Sequence, residues 1–410
     1  PYGNEWIHYD RQYWYFQIWQ DGMRKIDSTA LANAGFPVAT VDPRTIQLYA
    51  RGRQVPIHVE GEQDGVFNTT DYIEFYGAKN DDWLDSTLRD DPAHINNPYY
   101  SLYNDTIRYY LTWDPGSEAK RTIESGSTNW AAYTPLTWSW ATTFINTIGI
   151  YQTGKRTSLG ASTSMINEAE GYFHSVNIEA SGADMTRNYA LAVPDLYTGT
   201  DAPHSTFRLV LASLNNSGGT NYPDHHLRVA HAGTVLTDTI FNGYGLLKYT
   251  YQFAPSTMTM PTTSVDATAV YGLPDLPTGY KDAFAPAWYS IRYPRGFVIP
   301  VVVDLEIPGQ TAPDSTVIAF ISVPNTVVYA WAADGLHRVK PSNSSSNIFQ
   351  AVLPPNTQDM RVNVTRAYNI APVSYTHLRA HETVLDLVCR LLLEKKNTPH
   401  PHPHPPCSSL

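Results

Sequence analysis

Cysteine is almost absent from this sequence of 410 residues, and its absence excludes two kinds of chemistry. The two cysteines present, Cys389 and Cys407, lie close to the C-terminus, so residues 1–388 contain none. Disulfides therefore do not hold the body of the protein together. A catalytic Cys–His pair cannot be assembled there either, because it needs a thiol. A body without cysteine is compatible with an exported bacterial protein.

Charged residues are also scarce, at 16% of the sequence, and the formal net charge is −10. Binding to nucleic acid requires clustered Lys and Arg, so this composition argues against a nucleic-acid partner. Long apolar runs are missing as well. The longest, Gly296–Leu305, has about the length of one strand and is interrupted by Pro300. The sequence therefore predicts no membrane span.

Aromatic and turn-forming residues, by contrast, are abundant: 28 Tyr, 10 Trp and 13 Phe accompany 30 Pro and 25 Gly. Aromatic side chains favour pleated sheets, and frequent Pro and Gly favour short strands joined by turns. The predicted fold class is all-β, with two to three β-sandwich or jelly-roll-like modules and few short helices. The chain is too long for one core, and we expect an N-terminal β module over 1–115, a Ser/Thr/Trp-rich connecting region over 116–170, a jelly-roll-like sandwich over 171–297, a small β module over 298–373 and a tail over 374–410.

The first module begins with a predicted β-hairpin. An aromatic strand, Tyr13–Gln20, is followed by Asp21-Gly22 and by a return strand that ends at Ile26. Because Asp-Gly supplies the positive φ angles of tight turns, we expect these two strands to pair with each other.

A short helix is predicted directly after this hairpin. Asp27 or Ser28 is the expected N-cap of Thr29–Ala34, and Gly35 is the expected end of the helix. Further strands are predicted at Thr45–Tyr49, Gln54–Val59, Tyr72–Tyr76, Ile107–Trp113, Val176–Ala180, Phe207–Leu211, His226–Ala230, Leu247–Phe253 and Trp288–Tyr293.

The tail over 374–410 differs from everything before it. Leu, Val and charged residues recur at helical spacing over Thr376–Lys396, and His and Pro then alternate through His404. Such a run of histidines is typical of a metal site, but the whole tail also resembles a translated sequencing adapter. We therefore assign no chemistry to its histidines or to Cys389 and Cys407, and we expect the native fragment to end near Val373.

One loop offers hard oxygen ligands of the kind that calcium prefers. Asp64, Asn68 and Asp71 lie close together beside a glycine, so they are the candidate calcium site, and calcium is the only cofactor considered. The loop lacks the spacing of an EF-hand and its terminal bidentate Glu. The alternative is that these residues form turns between strands.

Other polar and aromatic clusters also have a functional and a structural interpretation. The acidic run Asp81, Asp82, Asp85, Asp90 and Asp91 suggests cation binding or a solvated loop. The adjacent His225 and His226 would face opposite sides of a strand, so they cannot hold one metal together. Aromatic faces stack on sugar rings, which makes Trp130, Trp138 and Trp140 candidates for a glycan platform, whereas the alternative is that they fill a core.

No catalytic residue is predicted for this chain. A Gly-x-Ser-x-Gly elbow is absent, and nothing in the sequence singles out a pair of carboxylates for sugar hydrolysis. Whether a larger parent protein is an enzyme is a separate question that these motifs leave open.

Several strings of residues resemble the N-terminal region of the PorU-type, gingipain-like cysteine peptidases of the Bacteroidetes type IX secretion system. They are Pro1–Ile7, Asp21-Gly22, Val41–Arg44, Asp71–Gly77, Asn97–Thr106 and Ile291–Arg295. In that family a β-rich region precedes the peptidase domain that carries the catalytic Cys and His. This chain stops before such a domain, so no catalytic residue of the family can be transferred to it.

The resemblance implies a non-catalytic region that positions or masks a downstream cysteine peptidase domain of the same chain. It also implies a secreted, outer-membrane or cell-surface location and secreted cargo proteins as partners. The alternative is a surface β-sandwich module that binds carbohydrate or protein through its aromatic residues.

Overall fold

The computed structural model describes residues 5–83, 85–89, 91–126, 129–133, 135–153, 168–175, 177–216, 223–276, 279–297, 303–310, 316–321, 326–345, 348–366, 371–372 and 379–380. Within these residues the protein is built almost entirely of strands in several sheets, with a single α-helix. The all-β prediction is therefore confirmed. No helix of this described part is long and apolar enough to cross a membrane.

The strands are numbered in chain order. In the first third they are β1 (Trp14–Ile18), β2 (Gly22–Asp27), β3 (Ile46–Ala50), β4 (Arg53–Val55), β5 (His58–Glu60), β6 (Tyr72–Gly77), β7 (Ile107–Trp113), β8 (Ile123–Ser125) and β9 (Trp138–Asn146). The middle third contains β10 (Ile150–Thr153), β11 (Glu170–Phe173), β12 (Ile178–Ser181), β13 (Met185–Ala192), β14 (Ser205–Ser213), β15 (His225–His231), β16 (Thr234–Phe241), β17 (Leu246–Phe253) and β18 (Thr262–Ala269). The remaining strands are β19 (Lys281–Gly296), β20 (Val303–Ile307), β21 (Thr316–Ile321), β22 (Thr326–Ala332), β23 (Gly335–Val339), β24 (Ser342–Ser345), β25 (Ile348–Leu353), β26 (Met360–Arg366), β27 (Ala371–Pro372) and β28 (Arg379–Ala380).

The helix α1 spans Ser28–Asn33, and short 3-10 turns occur at Pro43–Thr45, Glu62–Asp64, Asp85–Leu88, Pro92–His94, Trp130–Ala132 and Pro255–Thr257. The chain divides into two compact units. Unit 1 comprises residues 1–79, 105–122 and 370–410, and unit 2 comprises 80–104 and 123–369.

Unit 1 is a two-sheet sandwich. One sheet has the strand order β28-β1-β7-β3-β4, and the other has the order β27-β2-β6-β5. Their inner faces share one apolar core, to which the first sheet contributes Trp14, Phe16, Leu48 and Leu111 and the second contributes Ile26, Ile73 and Phe75. In β1 the buried residues Trp14, Phe16 and Ile18 alternate with more exposed ones, whereas every residue of β3 is buried.

The hairpin predicted for the opening strands is wrong. Strand β1 pairs with β7 and β28, whereas β2 pairs with β6 and β27 in the other sheet. Asp21 lies at the corner between the two sheets, where its Oδ1 accepts a hydrogen bond of 2.8 Å from the Lys79 backbone N–H. The Asp-Gly pair thus turns the chain from one layer to the next, because the ladder positions of both strands are taken by partners from elsewhere in the sequence.

The predicted helix, in contrast, is confirmed to within one residue. The Asp27 side chain caps α1 by accepting a hydrogen bond of 2.7 Å from the Ala30 backbone N–H. Leu31 is buried in the core of unit 1. Gly35 follows the helix with a φ of +75°, a conformation that glycine adopts without strain.

Unit 2 contains one long sheet that two smaller sheets cover. The long sheet has the order β17-β14-β19-β9-β20-β26-β22-β23-β8, and β12 also pairs with β19. A sheet with the order β13-β18-β15-β16 faces its first four strands, and a sheet with the order β21-β25-β24 faces its second half. The two resulting cores are centred on Phe207, Leu211, Val229 and Val265, and on Leu305, Val328, Ala351 and Val362, respectively.

The first half of this long sheet buries its other face as well. On that face Val210, Ala212 and Trp288 form a small core with Phe173 of the β10–β11 hairpin. The indole N–H of Trp288 donates a hydrogen bond of 2.7 Å to the Asn96 carbonyl, so part of the segment 80–104 covers the same face.

The predicted module boundaries stay predictions, since each of the two compact units combines segments that are separated in the sequence. The tail over 374–410 lies outside the described residues except for Arg379–Ala380, which pair with β1.

Candidate functional site

The three predicted calcium ligands do lie in one loop, between β5 and β6, but their oxygens are engaged in turns. Asp64 accepts hydrogen bonds from the Val66 backbone N–H at 2.9 Å and from the Asn68 side-chain amide at 3.1 Å. Asp71 is buried, and its Oδ2 accepts a hydrogen bond of 2.7 Å from the Asn68 backbone N–H.

Gly61 explains how this loop closes over a buried carboxylate. A Cβ atom at position 61 would lie 2.2 Å from Oδ1 of Asp71, and the residue has a φ of +83°. Only glycine lacks the Cβ that would clash with Asp71 and also adopts this positive φ without strain. Among the described residues no group of three or more His, Cys, Asp or Glu side chains is arranged to hold a metal ion. The geometry is that of the turn interpretation, and calcium binding by Asp64, Asn68 and Asp71 stays a prediction.

The acidic run is not the solvated loop that its composition suggests. Asp82 and Asp85 are only 3% and 4% exposed. Asp82 lies 3.3 Å from the Arg89 guanidinium, and Asp85 accepts a hydrogen bond of 2.8 Å from the Leu102 backbone N–H. Burial raises the pKa of Asp82 above its ordinary value, and the Arg89 charge opposes that shift.

The outer members of the same run have local roles. Asp81 and Asp91 accept hydrogen bonds from backbone N–H groups two residues ahead, at Trp83 and Ala93. Asp90 lies outside the described residues. The described carboxylates of this run therefore form contacts within the segment 80–104.

His225 and His226 face opposite sides of β15, as expected. His226 contacts Asp238 near the surface, whereas His225 is completely buried. The Nδ1 atom of His225 lies 2.7 Å from Oδ1 of Asp282, and its Nε2 atom lies 3.0 Å from the Asn215 carbonyl. A general base needs a nitrogen that faces a substrate or a nucleophilic hydroxyl. Both ring nitrogens face acceptors instead, so this His–Asp pair is structural.

The predicted tryptophan platform is only partly available. Trp130, Trp138 and Trp140 are all half-buried. The Trp138 and Trp140 rings meet edge to face with centroids 5.1 Å apart. The Arg292 guanidinium lies 3.9 Å from the Trp140 centroid and covers one face of that ring. A sugar cannot stack on a face that a cation already occupies.

A feature that the sequence analysis missed is a small pocket in unit 2. It encloses about 270 Å³ and is lined by Gln152, Thr153, Ala169, Ala212, Ser213, Leu214 and Tyr244. Ala169, Ala212 and Leu214 belong to the small core on the second face of the long sheet. The pocket therefore lies on that face, beside the β10–β11 hairpin.

The loop that carries Tyr244 is held on both sides. The Ser213 hydroxyl accepts a hydrogen bond of 2.7 Å from the Gly245 N–H and lies 3.0 Å from the Gly243 carbonyl, to which it can donate. The Gly243 N–H donates to the buried Asp224 carboxylate at 2.8 Å. Gly243 has a φ of +77°, which explains the glycine. An aromatic residue between two glycines was the sequence signal that would have identified this loop.

Comparison with known proteins gives similarity at the level of fold. No family model matches the sequence, and no curated protein matches it. Among solved structures, the chain is similar to dimeric latent PorU from Porphyromonas gingivalis, with a TM-score of 0.52 and 11% identity over 90% of this chain and 33% of that chain. The fold is therefore PorU-like, and the chain spans about a third of the length of that protein.

Two further similarities are too weak to support an argument. A carbohydrate-binding domain, CBM36-1, of a xylanase from the hindgut metagenome of Trinervitermes trinervoides has a TM-score of 0.19 and 15% identity, over 37% of this chain and 95% of that domain. A cycloisomaltooligosaccharide glucanotransferase from Paenibacillus has the same TM-score and 9% identity, over 57% of this chain and 45% of that enzyme.

Proposed function

We propose that this chain is the non-catalytic N-terminal region of a larger PorU-type surface protein, and that it positions or masks a gingipain-like cysteine peptidase domain that follows it. The observation that carries the proposal is the PorU-like fold, which extends over 90% of this chain but accounts for 33% of the PorU chain. A β-rich region that forms part of a longer protein is consistent with both values.

The chemistry of the residues supports a region without its own catalysis. Residues 1–388 have no thiol, so they cannot supply the nucleophile of a cysteine peptidase. The best-formed His–Asp pair, His225 with Asp282, is completely buried and has both ring nitrogens next to acceptors. In this proposal the catalytic groups, the secreted cargo and the location at the outer membrane or cell surface all belong to the parent protein.

Sequencing the parent gene past the codon for Val373 tests this proposal directly. The expected result is an open reading frame that continues into a domain with a Cys–His pair. A reading frame that ends there, or continues into adhesin repeats, would overturn it.

A second experiment tests the positioning or masking role. The peptidase domain would be expressed alone and together with residues 1–373, and cleavage of a fluorogenic peptide would be measured for both. We expect the N-terminal region to change the rate, either by masking the site or by stabilising its active geometry. Equal rates and equal thermal stability of the two forms would contradict the role.

A surface-binding module is the second candidate function. The observation that favours it is the pocket beside Tyr244, together with exposed aromatic side chains elsewhere in unit 2, including Trp83, Tyr99 and Tyr103. Exposed aromatic residues are typical of recognition surfaces. Binding and positioning are compatible, because different surfaces of the chain would serve them.

A further inference from the structure

We propose that the pocket beside Tyr244 binds a single uncharged sugar ring, such as the terminal residue of a surface glycan. The inference rests on the second candidate function and does not depend on a downstream peptidase domain. Its arguments are the size of the pocket, its aromatic wall, its uncharged polar groups and the rigidity of the loop that forms it.

The size of the pocket selects a small ligand. Its volume of about 270 Å³ lies just below the range of ~300–1,000 Å³ that is usual for small-molecule sites. Ala169 and Ala212 form part of the lining, and their short side chains leave the space that larger residues would fill. A cavity of this size accommodates one ring, whereas a long polysaccharide would need an extended groove.

Tyr244 supplies the aromatic wall. Its side chain is 36% exposed, so part of its surface remains available at the pocket. Sugar rings present apolar C–H groups on their faces and hydroxyl groups around their edges. An aromatic ring packs against the first, and its own polar atom remains available for the second.

The other lining residues match the hydroxyl groups of such a ligand. The side-chain amide of Gln152 carries both a donor and an acceptor. None of the described residues that line the pocket carries a charge. A phosphate, carboxylate or ammonium group would gain no opposite charge here, so the lining favours a neutral polyhydroxylated ligand over an ionic one.

The loop is fixed before any ligand arrives. The Ser213 hydroxyl donates to the Gly243 carbonyl and accepts from the Gly245 N–H, and the Gly243 N–H donates to Asp224. These hydrogen bonds hold the backbone on both sides of Tyr244. A preformed wall reduces the conformational entropy that binding would otherwise cost. Tyr103 differs from Tyr244 in two respects: it is 69% exposed, and it is not among the described residues that line the pocket.

The test uses the full chain and the methyl pyranosides of glucose, galactose, mannose and N-acetylglucosamine as probes. Saturation-transfer NMR identifies which glycoside binds, and titration gives its affinity. We expect at least one to bind, and Tyr244→Ala to weaken its affinity about tenfold or more, a change of about 1.4 kcal/mol. Tyr244→Phe should retain most of the affinity because the ring is kept, and Gln152→Ala should reduce it.

Tyr103→Ala is the matched control, since it removes a more exposed tyrosine outside the pocket. It should leave the affinity unchanged. The proposal is overturned if none of the four glycosides binds, or if Tyr244→Ala and Gln152→Ala both bind as tightly as the unmodified chain. Thermal melting of each variant separates loss of binding from loss of fold. These outcomes are independent of what the parent gene encodes after Val373.

Discussion

Two buried aspartates, Asp71 in unit 1 and Asp82 in unit 2, show two different ways of placing a carboxylate out of water. Both come from loops whose Asp, Asn and Gly residues indicate turns. Asp71 accepts a short hydrogen bond from a backbone N–H and packs on Gly61. Asp82 has one oxygen 3.3 Å from Arg89 and a second, buried oxygen without a hydrogen-bond partner in the described structure.

The two carboxylates differ in how completely their oxygens are hydrogen-bonded. The Asp71 carboxylate is held by its own turn, through the backbone N–H of Asn68. Asp82 depends on a side chain seven residues away and on burial by unit 2, and burial raises its pKa. A buried carboxylate whose oxygens are hydrogen-bonded stabilises the folded protein. A buried carboxylate with an unpaired oxygen lowers the free energy of unfolding.

Asp282 is a third buried aspartate, and its removal should have the largest effect on the free energy of unfolding. The carboxylate is completely buried, and its two oxygens lie 2.7 Å from Nδ1 of His225 and 2.8 Å from the His226 backbone nitrogen. Asp282→Ala leaves the buried His225 without its carboxylate partner, so we expect a loss of about 3–5 kcal/mol in the free energy of unfolding. Urea unfolding followed by tryptophan fluorescence measures it.

The matched control is Asp238→Ala, because Asp238 also contacts a histidine, His226, but lies near the surface. We expect a much smaller loss for this variant, because water screens an exposed pair. Similar losses for the two variants would contradict the view that burial sets the size of the effect.

Asp71→Ala should have the next largest effect. It leaves the Asn68 N–H without its acceptor and opens a gap above Gly61, so we expect a loss of about 1–3 kcal/mol. If the turn interpretation is correct, the loss will be the same in EDTA and in millimolar calcium. A loss that appears only with calcium present would instead support a metal site formed by Asp64, Asn68 and Asp71. Thermal melts under both conditions make the distinction.

Asp82 gives a smaller effect of opposite sign, and it depends on pH. Its raised pKa means that the folded protein binds this proton more tightly than the unfolded chain does. This group therefore adds stability as pH falls through the raised pKa towards about 3.9, its unfolded value. Asp82→Asn lacks the titration, so it should be relatively more stable than the unmodified chain at pH 7.

This relative advantage of Asp82→Asn should shrink as pH is lowered towards 4. Urea midpoints of both proteins at several pH values measure the trend. An advantage that grows on acidification would mean that the folded pKa is lowered instead, and that Arg89 outweighs burial.

The separation of interacting residues along the chain explains which features the sequence predicted. The cap of α1 by Asp27 and the bounds of β7 follow from residues next to each other, and both are confirmed. The opening hairpin failed because β1 and β2 pair with β7 and β6, which lie much further along the chain. A local turn signal does not show which distant strands will pair with β1 and β2.

The candidate site follows the same rule. The sequence makes Trp138 and Trp140 candidates for a glycan platform, but Arg292, about 150 residues later, covers one face of Trp140. The pocket beside Tyr244 joins β10, β14 and the loop before β17. Such a pocket exists only once the sheet has assembled, so the sequence offered at most the Gly-Tyr-Gly signal.

The smallest effect on stability is expected for the exposed carboxylate of Asp359. Asp359 is well exposed, and its Oδ2 accepts a hydrogen bond of 2.6 Å from the Arg292 guanidinium, which also contacts Glu306. Asp359→Asn should reduce the free energy of unfolding by at most about 1 kcal/mol, because water and ions compensate an exposed pair. The loss should disappear in 1 M NaCl, where the screening length falls to about 3 Å. The loss for Asp282→Ala should persist in the same salt, since a buried pair is screened much less. If both losses disappeared in salt, exposure would not explain the difference between Asp359 and Asp282. The contact of Arg292 with Trp140 would then be the next interaction to test.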